Sequence, residues 1–130
     1  MNMGLRDKGR FWKAFKFAFQ GIMHACKTER NVQFHFAASV IVILFSIYLN
    51  ISLFEWLFIC LCIFGVITLE LINSAIERIV DLASPSYHPL AKQAKDIAAG
   101  AVLVYSIMTV IIGSIIFLPK LARLFQSYIG

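Results

Sequence analysis

Residues 56–81 read WLFICLCIFGVITLELINSAIERIVD: fourteen uncharged residues, Trp56 to Leu69, followed by a helical continuation that carries Glu70, Asn73, Glu77 and Asp81. At about 100° per residue these four fall in one sector about 80° wide, so one face of an otherwise apolar helix is polar. An ionised carboxylate at mid-helix in a membrane costs at least about 2.5 kcal/mol and needs a partner, a cavity or a neutralising proton. The stripe is therefore read as the active site of an integral membrane protein. A hydrogen-bond network that only fixes oligomeric state is the structural alternative, but one Asn would serve that end at less cost.

Upstream, Phe34 to Leu49 is uncharged but only 16 residues long, enough to span only if neighbouring polar residues enter a bundle. Asn50 to Glu55 reads as a short turn without bases, and Trp56 places an aromatic at the interface where the next span starts. Downstream, the two prolines and two serines of Ser84-Pro85-Ser86-Tyr87-His88-Pro89 end the helix and make a loop. Ile97 to Leu118 then gives 22 uncharged residues, the clearest span in the chain. Before the first span, Phe11, Ala14, Phe15, Ala18, Phe19 and Ile22 recur at helical spacing opposite Lys13, Lys16, Gln20 and His24, the pattern of a helix lying in the interface. Phe17 falls on the polar side, either as a stray aromatic or as a ring on which something planar stacks.

The expected architecture is an all-α membrane protein with an amphipathic surface helix at about 8–27 and spans at about 32–50, 55–82 and 96–118, in a single domain covering 1–130. Composition agrees: 60% of the 130 residues are hydrophobic and the mean hydropathy is +0.80. The net charge of +5 does not call for nucleic acid, because seven of the twelve basic residues precede the first long apolar run and suit an anionic leaflet. The positive-inside rule puts the N-terminus and the 82–96 loop in the cytoplasm and the C-terminus outside, with Lys120 and Arg123 slightly against it. No signal-peptide pattern is visible, so the first span is expected to direct insertion. Cys26, Cys60 and Cys62 form no CxxC pair and read as small hydrophobes. Three short helices bury little surface alone, so an oligomer is expected to supply the polar interior, with Gly100 and Gly113 as points of close approach.

Counter-charges cluster at the same cytoplasmic boundary: Glu29 and Arg30 before the first span, Lys95 and Asp96 before the third. Carboxylates from two helices can hold Mg²⁺, which takes one or two of them with phosphate oxygens and water. Lys95 could meet phosphate, and Arg10 could reach it from the surface helix. No GxxxxGK[ST], GxGxxG or HRD-type motif is present, which excludes the familiar nucleotide folds as far as motifs can.

The run Glu70 to Asp81, continued by Ser84, Tyr87-His88 and Ala94-Lys95-Asp96 and backwards to Glu29, resembles the signature of the prokaryotic diacylglycerol kinase family over nearly the whole chain. The resemblance implies an ATP-dependent membrane lipid kinase, trimeric, with three spans and a surface helix. It implies Glu70 as the general base, held by Asn73 and Asp81, and Glu29 and Glu77 as metal ligands. Lys95 and Asp96 would orient the ATP phosphates, with Arg10, Phe17, Ser86, Tyr87 and His88 as further nucleotide contacts. Where relatives can have tyrosine, Phe17 keeps the ring and loses the hydroxyl. Glu29-Arg30-Asn31, His88-Pro89-Leu90-Ala91-Lys92 and Ile116-Phe117-Leu118-Pro119-Lys120-Leu121 resemble the undecaprenol kinase branch of Gram-positive bacteria, which favours a polyprenol acceptor over diacylglycerol. Two other classes fit the stripe: a small oligomeric cation transporter, and a structural adaptor that would tolerate change at Glu29, Glu77 and Lys95.

Overall fold

The computed structural model describes the backbone of residues 4–129 and the side chains of residues 9–127. Four helices follow in order: α1 (Gly4–Thr28), α2 (Arg30–Tyr48), α3 (Leu53–Ala83) and α4 (Pro89–Ile129). Three of them, Arg30–Tyr48, Leu53–Ala83 and Pro89–Ser127, are long and apolar enough to cross a membrane. The chain is thus a multi-pass, all-helical membrane protein.

A single residue separates α1 from α2. Glu29 adopts an extended backbone (φ −103°, ψ 114°) and its side chain makes no cap hydrogen bond, which leaves the carboxylate free for other partners. The end of α1 is closed by other groups: the Gln33 side chain donates to the Cys26 carbonyl at 3.0 Å, and Thr28 Oγ1 donates to the His24 carbonyl at 3.0 Å. The Gln33 bond satisfies a carbonyl that the helix end otherwise orphans.

The turn between α2 and α3 is pinned at both edges. Asn50 takes a left-handed conformation (φ 47°), which Asn tolerates better than most residues. Ser52 and Glu55 then form a reciprocal capping box, Ser52 N–H donating to Glu55 at 2.6 Å and Glu55 N–H to Ser52 Oγ at 3.3 Å. Against this turn sits the apolar core, Ile51, Ile59 and Ile116 packed with Val42, Trp56, Ile112 and Phe117. Lys120 reaches Glu55 at 3.1 Å, so the base that fits the charge rule poorly has a local carboxylate.

Packing is most extensive between α3 and α4. Its closest point is Gly65, where an added Cβ would lie 1.9 Å from the Tyr105 hydroxyl oxygen. That hydroxyl lies over α3 and donates to the Leu61 carbonyl at 2.8 Å. Among the described glycines, Gly65 is the point of close approach within the chain; a Cβ at Gly100 would meet nothing within 4 Å, and one at Gly113 only Phe117, four residues along its own helix, which leaves both free toward a neighbouring copy.

The helices α3 and α4 run past the expected span limits at both ends. Pro89 opens α4 instead of closing a loop, because at the first helical position its fixed φ suits the helix and its missing N–H costs nothing. His88 Nδ1 accepts from the Leu90 N–H at 3.2 Å, so the loop between α3 and α4 is only residues 84–88. At the far end α4 continues through Pro119 to Ile129, forgoing one backbone hydrogen bond at the proline.

Candidate functional site

The polar stripe occupies the C-terminal half of α3, where Glu70 meets α2, Asp81 meets α4, and Asn73 and Glu77 meet each other. From Glu70 to Asp81 the helix rises about 16 Å. Burial changes along that rise: Glu70 and Asn73 are each 4% exposed, Glu77 is half-buried, and Asp81 is open to the surface.

At the buried end, Glu70 Oε1 lies 3.4 Å from His35 Nε2 on α2. Its other oxygen, Oε2, is buried without a hydrogen-bond partner among the described residues, as is Asn73 Oδ1. Asn73 turns its amide away from Glu70 and donates through Nδ2 to Glu77 Oε1 at 3.0 Å, as residues four apart on a helix readily do. The two residues expected beside Glu70 are thus engaged elsewhere. Asp81 is one of them: its Oδ1 pairs with Lys95 Nζ on α4 at 2.6 Å.

Lys95 and Asp96 do not pair with one another. Successive residues on a helix diverge by about 100°, and Asp96 meets Lys92 one turn back at 2.5 Å. The loop folds over the Lys95–Asp81 pair, giving a hollow of about 260 Å³ lined by Asp81, Ser86, Tyr87, His88, Lys92 and Lys95. The structure therefore brings Asp81, Lys95 and the loop residues to one place. Arg10 and Phe17 lie apart on the exposed surface of α1.

On the flank of the stripe, Arg78 spans three elements. Its NH2 donates to Glu29 Oε1 at 2.6 Å and to Thr28 Oγ1 at 2.9 Å, and its NH1 lies 2.8 Å from His24 Nε2. Arg78 and His35 are the contributors that sequence reasoning missed. Arg78 lies about 80° around the helix from Glu70, outside the polar sector, and His35 is the one histidine in the run Phe34–Leu49.

Glu29, at the break between α1 and α2, and Glu77, on α3, are both half-buried. They do not form a ready-made cage: among the described residues no group of three or more His, Cys, Asp or Glu side chains is placed to hold a metal ion. Two hard carboxylates still suit an ion that takes one or two protein oxygens and completes its shell with phosphate and water.

On the other side of His35, a mainly apolar cleft of about 380 Å³ runs between α2, α3 and α4, past Val42, Ile59, Val66, Thr109 and Phe117. His35 lines this cleft and also meets the Glu70 carboxylate.

Three apolar helices long enough to cross a membrane, a buried carboxylate on the second and a lysine-lined hollow at that helix's C-terminal end define a multi-pass membrane protein with a polar site. The prokaryotic diacylglycerol kinase family matches residues 16–117, and the chain belongs to that family. It is 51% identical over 115 residues to the undecaprenol kinase of Bacillus subtilis, covering 88% of this chain and 94% of that protein. It is also 41% identical over 112 residues to a diacylglycerol kinase of Synechocystis, covering 85% of this chain and 64% of that one. With the diacylglycerol kinase of Escherichia coli it shares 28% identity over 102 residues, 78% of this chain and 84% of the other.

Proposed function

We propose that this chain is an ATP-dependent lipid kinase that transfers the γ-phosphate to undecaprenol, giving undecaprenyl phosphate. The observation that carries the reading is Glu70, a buried carboxylate with one oxygen unpartnered among the described residues, set about three turns from the Lys95 hollow along the same helix. A base that takes a proton from a lipid alcohol at the membrane boundary needs that placement, since the acceptor arrives from the bilayer and ATP from the cytoplasm. The acceptor preference is supported by the 51% identity to an undecaprenol kinase over most of both chains. Diacylglycerol is the alternative acceptor, favoured by the names of the more distant relatives.

In the proposed reaction the lipid O–H gives its proton to Glu70 Oε2 as the oxygen forms its bond to the γ-phosphorus. The bond from that phosphorus to the β,γ-bridging oxygen breaks, and ADP leaves with the electron pair. Phosphoryl transfer of this kind depends on positioning and charge neutralisation more than on covalent help. Lys95 contributes a positive charge to the phosphates, exchanging its bond to Asp81 for one to ATP. Ser86, Tyr87 and His88 close over the nucleotide, with Arg10, Phe17 and Asp96 as its outer contacts. Asn73 holds Glu77 and thereby orients it. Glu29 and Glu77 would hold Mg²⁺, which supplies neutralisation of phosphate charge when bound.

We place α1 in the cytoplasmic interface. Phe11, Trp12, Phe15 and Phe19 are exposed on it, and such area needs headgroup-level apolar cover. The N-terminus and the loop at 84–88 then face the cytoplasm, and the C-terminus lies outside, in one lipid-kinase domain of residues 1–130. Exposed apolar side chains on α2, α3 and α4 fit lipid and further copies of the chain, for which a homotrimer is the proposed assembly.

Glu70→Gln in vesicles tests the reading. The change keeps the shape of the side chain and removes its basicity, so lipid phosphorylation should fall at least about 100-fold, within the range expected for a lost general base. A Glu70→Gln chain as active as wild type would remove Glu70 from the reaction.

A further inference from the structure

We propose that His35 is a positioning residue for Glu70: it holds one carboxylate oxygen and so leaves the other, alone, to take the proton of the lipid hydroxyl. The inference rests on the reading of Glu70 as the base and assigns a residue on a second helix to it.

The two oxygens of Glu70 are inequivalent. Oε1 faces His35 Nε2 at 3.4 Å, and Oε2 is buried with no partner among the described residues. A buried carboxylate oxygen left unpartnered costs free energy, a cost a functional site bears when the missing partner is its substrate. With its proton on Nε2, the neutral ring can donate to Oε1 without adding a charge to the span. That contact fixes the carboxylate about its terminal torsion, which is otherwise broad.

The ring is itself held. Ser39 Oγ donates to the His35 carbonyl at 2.7 Å, one turn along α2, which commits the hydroxyl proton to the backbone. Phe34 packs edge to face on the imidazole, with centroids 5.4 Å apart. His35 also lines the apolar cleft that leads away from Glu70 between α2, α3 and α4. It therefore stands where hydrocarbon-lined space ends and the carboxylate begins. The hydroxyl end of a lipid alcohol has to come to rest at that boundary.

The test compares wild type, His35→Ala and His35→Gln in vesicles with Mg²⁺, ATP and undecaprenol. The side-chain amide of Gln places a donor near the position of Nε2. His35→Ala should lower kcat about 10- to 100-fold, the scale of a lost positioning contact, with KM for ATP within twofold of wild type. His35→Gln should recover most of the loss. A kcat for His35→Ala within twofold of wild type would overturn the proposal, and so would His35→Gln as impaired as His35→Ala. Independently of activity, the ¹⁵Nε2 resonance of His35 should move on Glu70→Gln; an unmoved resonance also counts against the contact. Wild-type protein that phosphorylates no lipid would sink the kinase reading itself, whereas active wild type with an indifferent His35→Ala sinks the role of His35 alone.

Discussion

Arg78 NH2 sits 2.6 Å from Glu29 Oε1, joining the last third of α3 to the one-residue break between α1 and α2. The same guanidinium reaches Thr28 and His24, so a single side chain holds the root of α1 against the bundle. Half of the Arg78 side chain is exposed, which limits the pair to about 1 kcal/mol or less of global stability. Its effect should be local. In Arg78→Ala, hydrogen exchange across residues 24–30 should speed up while the middle of α3 stays protected. Unchanged exchange at the break would show that Arg78 does not hold α1.

In the proposed reaction Glu29 and Glu77 hold the metal ion, with Glu29 Oε1 already facing Arg78 and its other oxygen left for the ion. Chelation should abolish lipid phosphorylation, and added Mg²⁺ should restore it. Glu29→Gln and Glu77→Gln should each raise the Mg²⁺ concentration for half-maximal activity about 10-fold or more, the loss of one charge-assisted contact. An unaltered Mg²⁺ dependence in both variants would remove them as ligands.

Lys95 exchanges an aspartate for a phosphate in the proposed reaction. Lys95→Ala should lower kcat/KM for ATP about 10- to 100-fold, the worth of a charge-assisted hydrogen bond of about 1.5–3 kcal/mol. Asp81→Asn, which removes the resting partner, should cost less. Steady-state kinetics at varied ATP separates the two, and an equal loss in both would place Asp81 itself at the phosphates.

Gly65 and Tyr105 make a prediction about stability. An added methyl at Gly65 collides with the phenol, and overpacking of this kind costs about 1–3 kcal/mol. Tyr105→Phe removes only the hydroxyl and its bond to the Leu61 carbonyl, worth about 0.6 kcal/mol between membrane helices. Unfolding in detergent should therefore rank wild type above Tyr105→Phe and Tyr105→Phe above Gly65→Ala. In the pair Gly65→Ala with Tyr105→Ala, part of the Gly65→Ala loss should disappear.

Periodicity was enough to read four helices and the polar face of α3, because each depends on which residues lie three or four apart. It also placed Glu70 and Asn73 on the buried side. The partners of those residues depend on how helices meet, which periodicity does not contain. Asn73 was expected beside Glu70 and instead turns one helical turn onward to Glu77. Lys95 and Asp96, adjacent in sequence, diverge on the helix surface to Asp81 and Lys92. His35 is one polar residue in an apolar run, and nothing local to it points at residue 70. The close-approach glycine was equally hidden, since it is defined by a tyrosine forty residues away.

The central claim is transfer of the ATP γ-phosphate to a lipid alcohol, and the most direct measurement uses purified wild-type chain in vesicles with Mg²⁺ and γ-labelled ATP. Undecaprenol and diacylglycerol are supplied separately at equal mole fraction. The account predicts label in undecaprenyl phosphate, formed faster than phosphatidic acid, and none when ATP is labelled only in the α position. Equal rates on the two lipids would contradict the acceptor assignment, and absence of label in any lipid would contradict the kinase itself.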